Sequence, residues 1–452
     1  MRISQVSGAM WTTVHEDELK QMVESGQNIK DLKRRLSYRL GYSRFRQRLL
    51  GEAGELHDDE HLTQNLPLEL QLVVLSFCPC DRSEDADFAR ACSQNCLQTV
   101  ESVLQAPHDP NTRDPETHLT PLHVASENGC LEVVELLIEA GANIEAASRN
   151  GWTALHNAAE SGSLEVVRLL LHAGANMEAA TMPGGMTVLY FASKNDHYDV
   201  VRLLVQARAN MEATSRNGWT ALHKAAANNS VDTARVLVEA GANMDAAVPG
   251  GSTVLHVAAC WGHSEVVAML LQAGANMEAE FNGWTPLQEA SEKGHGEVVR
   301  LLVQARANIE GASNGWTALH MASEKGNSSV VRLLVEAGAN VHACPPDGRT
   351  PLHVAAAKDR LEVVKFLIEA GAKVQAVARN GWTALHEAAA SGSLEVARFL
   401  VQAGANMEVA SRTGWTALRL AAKNGHCEVI GLLQDSLNSF TASSEAKKHR
   451  WR

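Results

Sequence analysis

From residue 120 to residue 434 the apolar and polar positions repeat one pattern ten times. Residues 153–185 show a full period. A short block carries Leu155, Ala158 and Ala159. After Gly162 comes a second block, Leu164-Glu-Val-Val-Arg-Leu-Leu-Leu171, with Val166, Val167, Leu170 and Leu171 at spacings of three and four. That spacing puts the apolar groups on one side of a helix, so each period predicts two short helices. Thr153 precedes the first helix and can accept a bond from an orphan amide of its first turn. Pro121, Pro286 and Pro351 follow the equivalent threonines, where a missing N–H removes nothing. Gly162 and Gly174 stand where the two helices must turn out through a left-handed residue. The polar stretch from Met177 to the next Asn-Gly-Trp predicts a loop or hairpin finger. One such pair cannot bury its apolar face alone, so neighbouring pairs must stack.

The phrase that opens each period recurs at Thr120, Thr153, Thr187, Thr220, Thr253, Thr285, Thr317, Thr350, Thr383 and Thr416, 32 to 34 residues apart. Thr120-Pro-Leu-His123, Thr153-Ala-Leu-His156 and Thr350-Pro-Leu-His353 are examples. Length and phrase resemble the ankyrin repeat, over roughly residues 86–434. The resemblance implies a mainly α ankyrin-repeat solenoid at 120–434, whose concave face binds other proteins. Residues 88–119 align with a unit but lack the opening phrase, and predict a degenerate N-terminal cap. Residues 435–452, polar and ending in Lys447-Lys-His-Arg-Trp-Arg452, predict a disordered basic tail. Two units break the glycine rule, placing Arg208 and Arg306 where the others carry Gly. With the flanking residues unchanged, both arginines are expected in the left-handed region, under strain.

Residues 1–77 do not repeat. Arg2–Val6 and Trp11–Val14 predict a hairpin around Ser7-Gly8. Asn28 caps a helix lined by Ile29, Leu32, Leu36 and Leu40. Gln47-Arg-Leu-Leu50 and Leu70-Gln-Leu-Val-Val-Leu75 predict strands. Ile29-x-x-Leu32-Lys33-x-x-Leu36, Gln47-Arg48-Leu49-Leu50 and Leu56-x-Asp58 resemble ubiquitin-like domains, which implies a small α+β β-grasp. The resemblance also implies an apolar docking patch at Leu50 and Val73. The segment ends Phe77-Cys78-Pro79-Cys80 rather than in Gly-Gly, so the resemblance implies an embedded docking module, not a conjugated one. Residues 78–87 are expected to be a linker.

Net charge is -12 and uneven. Residues 1–80 hold 10 basic and 11 acidic side chains; residues 81–440 hold 26 and 40. A phosphate backbone needs a basic stripe, so nucleic acid is not the expected partner. No apolar run reaches the roughly 18 residues of a membrane span. The chain starts without an export signal, and its eight cysteines are scattered, which points to a reducing cytoplasmic or nuclear location. Cys78, Cys80, Cys92 and Cys96 lack the paired spacing of a zinc knuckle, and the last two fall on small-residue positions of the stack. No catalytic motif stands out, so neither enzyme activity nor a cofactor is expected.

Histidine and tryptophan carry the functional reading. One ring per repeat cannot assemble a multi-ligand site, so the repeat histidines are expected to be structural. Six of nine tryptophans share one position just before the capping threonine: Trp152, Trp219, Trp284, Trp316, Trp382 and Trp415. Indole is both good filler and a frequent binding anchor, so packing and binding weigh equally there. Trp261 lies at the end of a first helix where its equivalents are Ser161, Lys293 and Lys325. With Phe281, Trp284 and Trp316 it is expected to form an aromatic binding cluster. Arg149, Arg216 and Arg379, three residues before tryptophans of the series, complete the candidate surface. The expected function is a monomeric scaffold or adaptor for a client protein. The alternative is a recognition or regulatory subunit of a ubiquitin-ligase or proteasome-linked complex.

Overall fold

The computed structural model describes residues 2–5, 11–51, 54–63, 69–77 and 82–449. The chain divides into two compact units, Met1–Arg216 and Asn217–Arg452.

The first unit begins with β1 (Arg2–Gln5), β2 (Trp11–Thr13), α1 (Glu16–Glu24), α2 (Ile29–Leu40), a 3-10 turn at Arg44–Arg46, β3 (Gln47–Gly51), β4 (Gly54–Leu56) and β5 (Glu69–Val74). The strands form one sheet in the order β2-β1-β5-β3-β4. β1 runs parallel to β5 and the other neighbours are antiparallel, which is β-grasp order. A parallel pair cannot be joined by a tight turn, so a long crossover containing a helix separates them. Alternation then sorts the side chains. Leu49 pairs with Leu72 and both point into a core with Ile3, Met22, Ile29, Leu32 and Leu36. Leu50 and Val73, one position along, lie on the other face and are half-buried. The hairpin, α2, β3 and β5 follow the sequence pattern. The Ser7-Gly8 turn lies outside the described residues. α1 and β4 were not anticipated. Three residues are too few to show a period, and α1 carries its apolar groups as the short set Leu19, Met22 and Val23 within a charged stretch.

α2 starts at Asn28, whose side chain accepts from Asp31 N–H while the Asp31 carboxylate receives the Asn28 N–H, both at 3.1 Å. The loop after α2 delivers Arg44, whose side chain is 0% exposed. Its guanidinium bonds Asp58 at 2.8 Å, Glu101 at 2.9 Å and Glu139 at 2.7 Å. Asp58 belongs to the N-terminal domain. Glu101 lies on α4 (Leu97–Gln105), and Glu139 ends α6 (Leu131–Glu139). Lys30 adds a bond to Glu101 at 3.0 Å, and Arg34 also reaches Glu139. One buried cation thus ties the β-grasp to the first two helix pairs.

α3 (Arg82–Ser93) and α4 form the first pair, and α5 (Pro121–Glu127) with α6 the second. α3 starts six residues before the predicted cap at residue 88, and packs against α5 as a first helix does. Every later pair repeats this plan. First helices such as Ala154–Ser161 span seven or eight residues, and second helices such as Leu164–His172 span nine. Gly162 exits at φ 76°, and a Cβ there would stand 2.5 Å from His197 Nδ1, so both backbone shape and space require glycine. The final helix runs Cys427–His449. Residues 435–449 are therefore helical where composition predicts a disordered tail. The stretch after Leu433 has neither Gly nor Pro, and Ala442, Glu445, Ala446 and the lysines are good helix formers. Residues 450–452 lie outside the described residues.

Arg208 and Arg306 sit at φ 66° and 68°, while Gly174 and Gly371 at equivalent exits have 90° and 91°. The strain expected from the sequence is present. Arg208→Gly and Arg306→Gly are each expected to raise stability by several tenths to about 1 kcal/mol, read as a higher midpoint in urea unfolding.

Removing the Arg44 cation takes the shared partner from three carboxylates and leaves each with one cation, Lys33 on Asp58, Lys30 on Glu101 and Arg34 on Glu139. Arg44→Met is expected to weaken the anchoring of the N-terminal domain by about 3 kcal/mol or more. Hydrogen exchange should then speed up in α2 and α4 and stay unchanged beyond residue 217; equal protection in the variant contradicts the anchor.

Candidate functional site

Seven first helices begin with the same polar lock, built on His123, His156, His223, His256, His320, His353 and His386, while Tyr190 and Arg419 hold the equivalent place in two others. At Thr317 the backbone N–H donates to His320 Nδ1 at 3.2 Å. Nδ1 is therefore an acceptor, and the ring proton sits on Nε2. Nε2–H crosses to the next repeat and donates to Arg349 O at 3.0 Å. His123 reaches Trp152 O at 2.9 Å, His256 reaches Trp284 O at 3.0 Å, and His353 and His386 reach Trp382 O and Trp415 O, both at 3.1 Å. Where the chain has Gln288 the amide makes the same two bonds: Oε1 accepts from Thr285 N–H at 2.8 Å, and Nε2 donates to Trp316 O at 2.7 Å. The repeat histidines are structural, as their spacing implies. Burial pushes their pKa values down, to about 4 at His156 and His320. A second set binds backward across the stack: His197 to Glu160 O at 2.7 Å, His263 to Ala227 O at 3.0 Å and His295 to Cys260 O at 2.9 Å.

The tryptophans cap this lock. The six of the series are half-buried. Trp316 lies over His320 with ring centroids 5.6 Å apart, Trp152 over His156 and Trp219 over His223 at 6.0 Å, and Trp382 over His386 at 6.4 Å. Trp152 also meets Phe191 of the next repeat at 4.4 Å. In these four repeats the half-buried indole shields a buried histidine. Phe281 bridges to Trp284 within one finger and covers His256 at 6.1 Å.

Trp261 is 61% exposed. It makes no ring contact among the described residues, and the expected cluster with Phe281, Trp284 and Trp316 does not form around it. Phe281 packs at the first turn of helix Val254–Trp261, and Trp261 ends that helix. Five residues of helix from His256 place them about 7 Å apart along the axis, and the rings diverge. Arg149, Arg216 and Arg379 are exposed at finger tips. Their backbone N–H groups join fingers: Arg149 to Thr117 O at 3.1 Å, Arg216 to Gly184 O at 2.8 Å and Arg379 to Asp347 O at 2.7 Å. Leu50 and Val73 flank Arg48, which bonds Glu55 at 2.9 Å and Gln105 O at 2.6 Å.

Sequence reasoning missed a set of ion pairs between consecutive first helices: Lys194–Glu160 at 3.4 Å, Lys325–Glu292 at 2.9 Å and Lys358–Glu324 at 3.2 Å. The signal was a glutamate at the end of one first helix and a lysine at the same place, or one position later, in the next. Arg349–Glu387, at 3.1 Å, joins finger to helix in the same way. Cys92 and Cys130 are buried in the stack, and burial pushes the Cys92 thiol up to about 12, which disfavours the thiolate a metal needs. Cys78 and Cys80 lie outside the described residues.

Stacked helix pairs with fingers, cross-linked at six repeats by a histidine or glutamine side chain, define a solenoid whose polar locks are spent on stacking. A family model described as ankyrin repeats in three copies matches residues 88–181, 178–248, 245–313, 305–378 and 371–442. The chain belongs to the ankyrin-repeat family. Protein fem-1 homolog A of Rattus norvegicus is 44% identical over 52 residues, 12% of this chain and 8% of that protein. Protein fem-1 homolog A-A of Mus musculus is 42% identical over 52 residues, again 8% of its length. Glycerophosphocholine phosphodiesterase gde1 of Schizosaccharomyces pombe is 32% identical over 86 residues, 19% of this chain and 8% of that protein. The matched stretches thus span under a tenth of each relative. No helix among the described residues is long and apolar enough to cross a membrane.

The histidine locks make stability fall in mild acid. Their folded pKa values lie below the ordinary 6.5, so the unfolded chain takes up protons first. Stability is complete above pH 6.5 and is lost between 6.5 and about 4. Each shifted histidine contributes up to about 1.4 kcal/mol per pH unit in that window. The thermal midpoint should drop from pH 7.5 to pH 5, and His320→Gln, which copies Gln288, should make that drop smaller. An unchanged slope in the variant contradicts the assignment.

Proposed function

We propose that the chain is a non-enzymatic adaptor that holds a client protein on the face made by fingers and first helices. A second partner docks on the N-terminal domain. Exposed Trp261 carries this reading: indole on a helix end serves no lock and covers no histidine, and large exposed aromatics are the commonest binding anchors. The outward edges of Trp284 and Trp316 and the finger arginines extend the same face. The acidic balance of residues 81–440 favours protein over nucleic acid. The reading places the protein as a monomer in the cytoplasm or nucleus. It assigns 1–77 to a ubiquitin-like domain and 120–434 to ten repeats; the cap, expected at 88–119 after a linker at 78–87, begins with α3 at Arg82.

The sheet order β2-β1-β5-β3-β4 supports a second reading, a recognition or regulatory subunit of a ubiquitin-ligase or proteasome-linked complex. Leu50 and Val73 would then carry docking.

Quantitative affinity capture with the full chain tests both. Trp261→Ala and Trp284→Ala are expected to weaken client binding by about 2 kcal/mol or more, with little change in melting temperature for Trp261→Ala. Equal losses of binding and stability in both would reduce the tryptophans to packing. Capture that ignores them and depends on Leu50→Ala and Val73→Ala would favour the second reading.

A further inference from the structure

Two observed contacts define a pairing along the fingers. In both, the residue just before a capping threonine meets, in the following repeat, the residue four places after the capping threonine. Trp152 meets Phe191 in this way at 4.4 Å, and Arg349 meets Glu387 at 3.1 Å. In these two contacts an apolar residue meets an apolar one, and a buried carboxylate meets a cation. Trp219 and Val257, Trp284 and Met321, Trp316 and Val354, and Trp382 and Leu420 hold the same register.

Within Asn217–Arg452 one pair breaks the rule: Ser252 stands in register with Glu289. Serine supplies neither volume nor charge. Phe281, from the next finger, takes over the missing indole's place on His256. Nothing takes over the charge. Glu289 is half-buried and its carboxylate has no hydrogen bond or ion pair among the described residues, and Lys293, one turn on, is bonded to Glu292 at 3.2 Å. Burial pushes Glu289 up to about 7, the Lys293 charge opposing and the Glu292 charge adding. Burial also raises Glu387, but there Arg349 pulls against it. The two carboxylates hold the same place in the array; one has its cation and the other does not.

We infer that the notch at Ser252 and Glu289 binds one arginine side chain from a partner polypeptide, seated as Arg349 is seated on Glu387. The inference rests on the adaptor reading and names the chemistry of its client at one point. Guanidinium suits the site better than ammonium, because its planar fork spans a carboxylate and tolerates desolvation. The helices Val254–Trp261 and Pro286–Lys293 pack side by side, so Trp261 lies on the neighbouring helix, placed to anchor the partner's residues next to that arginine.

The test uses the full chain and fluorescein-labelled hexa-arginine, with hexa-lysine and hexa-citrulline as comparators, followed by anisotropy. Hexa-arginine affinity is expected to fall at least tenfold in Glu289→Gln and in Ser252→Arg, and to stay unchanged in Glu265→Gln, an exposed carboxylate on a second helix. Hexa-citrulline should not bind. Ser252→Arg fills the notch in cis, so its melting temperature should rise, and the rise should vanish in Ser252→Arg/Glu289→Gln. Affinity indifferent to Glu289 means diffuse attraction to an acidic surface and overturns the inference, as does a lower melting temperature in Ser252→Arg. Equal affinity for hexa-lysine overturns the choice of guanidinium. If client capture still depends on Trp261 while hexa-arginine ignores Glu289, the notch fails and the adaptor reading stands. Glu289-dependent arginine binding without tryptophan-dependent capture would do the reverse.

Discussion

A buried Nε2–H reaching a carbonyl of the next repeat is the bond on which this array depends. A helix pair of sixteen or seventeen residues has too little apolar surface to stand alone, so each repeat is stable only against its neighbours. Dispersion between alanine and leucine faces supplies adhesion but little register. The histidine supplies register. Its Nδ1 is held by the capping threonine of its own repeat, and its Nε2–H is aimed at one atom of the next, as from His320 to Arg349 O at 3.0 Å. The geometry requires a neutral ring, and burial keeps it neutral. Indole lies over that ring in four repeats, at His156, His223, His320 and His386.

The same logic governs the N-terminal end, where no preceding repeat exists. The first helix pair would expose its stacking face, and the β-grasp is fixed beside it by a different device: Arg44, fully buried, shared among Asp58, Glu101 and Glu139. A buried cation is costly unless every donor is met, and here three carboxylates from three elements meet it. The contact is specific for that reason, and it sets the sheet face bearing Leu50 and Val73 relative to the first repeats, with Arg48 lying against the end of α4.

Because stacking uses the buried polar groups, what remains for binding is the outward side: finger arginines, indole edges, the lysine–glutamate pairs and Trp261. These positions vary from repeat to repeat more than the lock does, which is a histidine in seven of ten repeats. Leu, Trp, Met, Ser and Arg all occur before the capping threonine; within Asn217–Arg452 the residues four places past the next cap change to match, except at Ser252. Variation laid on an invariant frame lets one array present a distinct surface at each step.

The sequence by itself determined the repeat, its length, its caps and its structural histidines, because these rest on local rules: a threonine before a helix, a glycine at positive φ, apolar groups at helical spacing. It even located the strain at Arg208 and Arg306, since backbone shape at a helix exit depends on neighbours in the chain. Only the tertiary structure decided what touches what across repeats. It separated Trp261 from Phe281 by the length of a helix, joined Arg349 to Glu387 across 38 positions, and gathered three distant carboxylates on Arg44. It also added α1 and β4, too short or too charged to announce themselves, and carried the last helix to His449. Local propensity is written along the chain; contacts between surfaces depend on how far each layer advances and rotates, and no pattern within a single repeat records that.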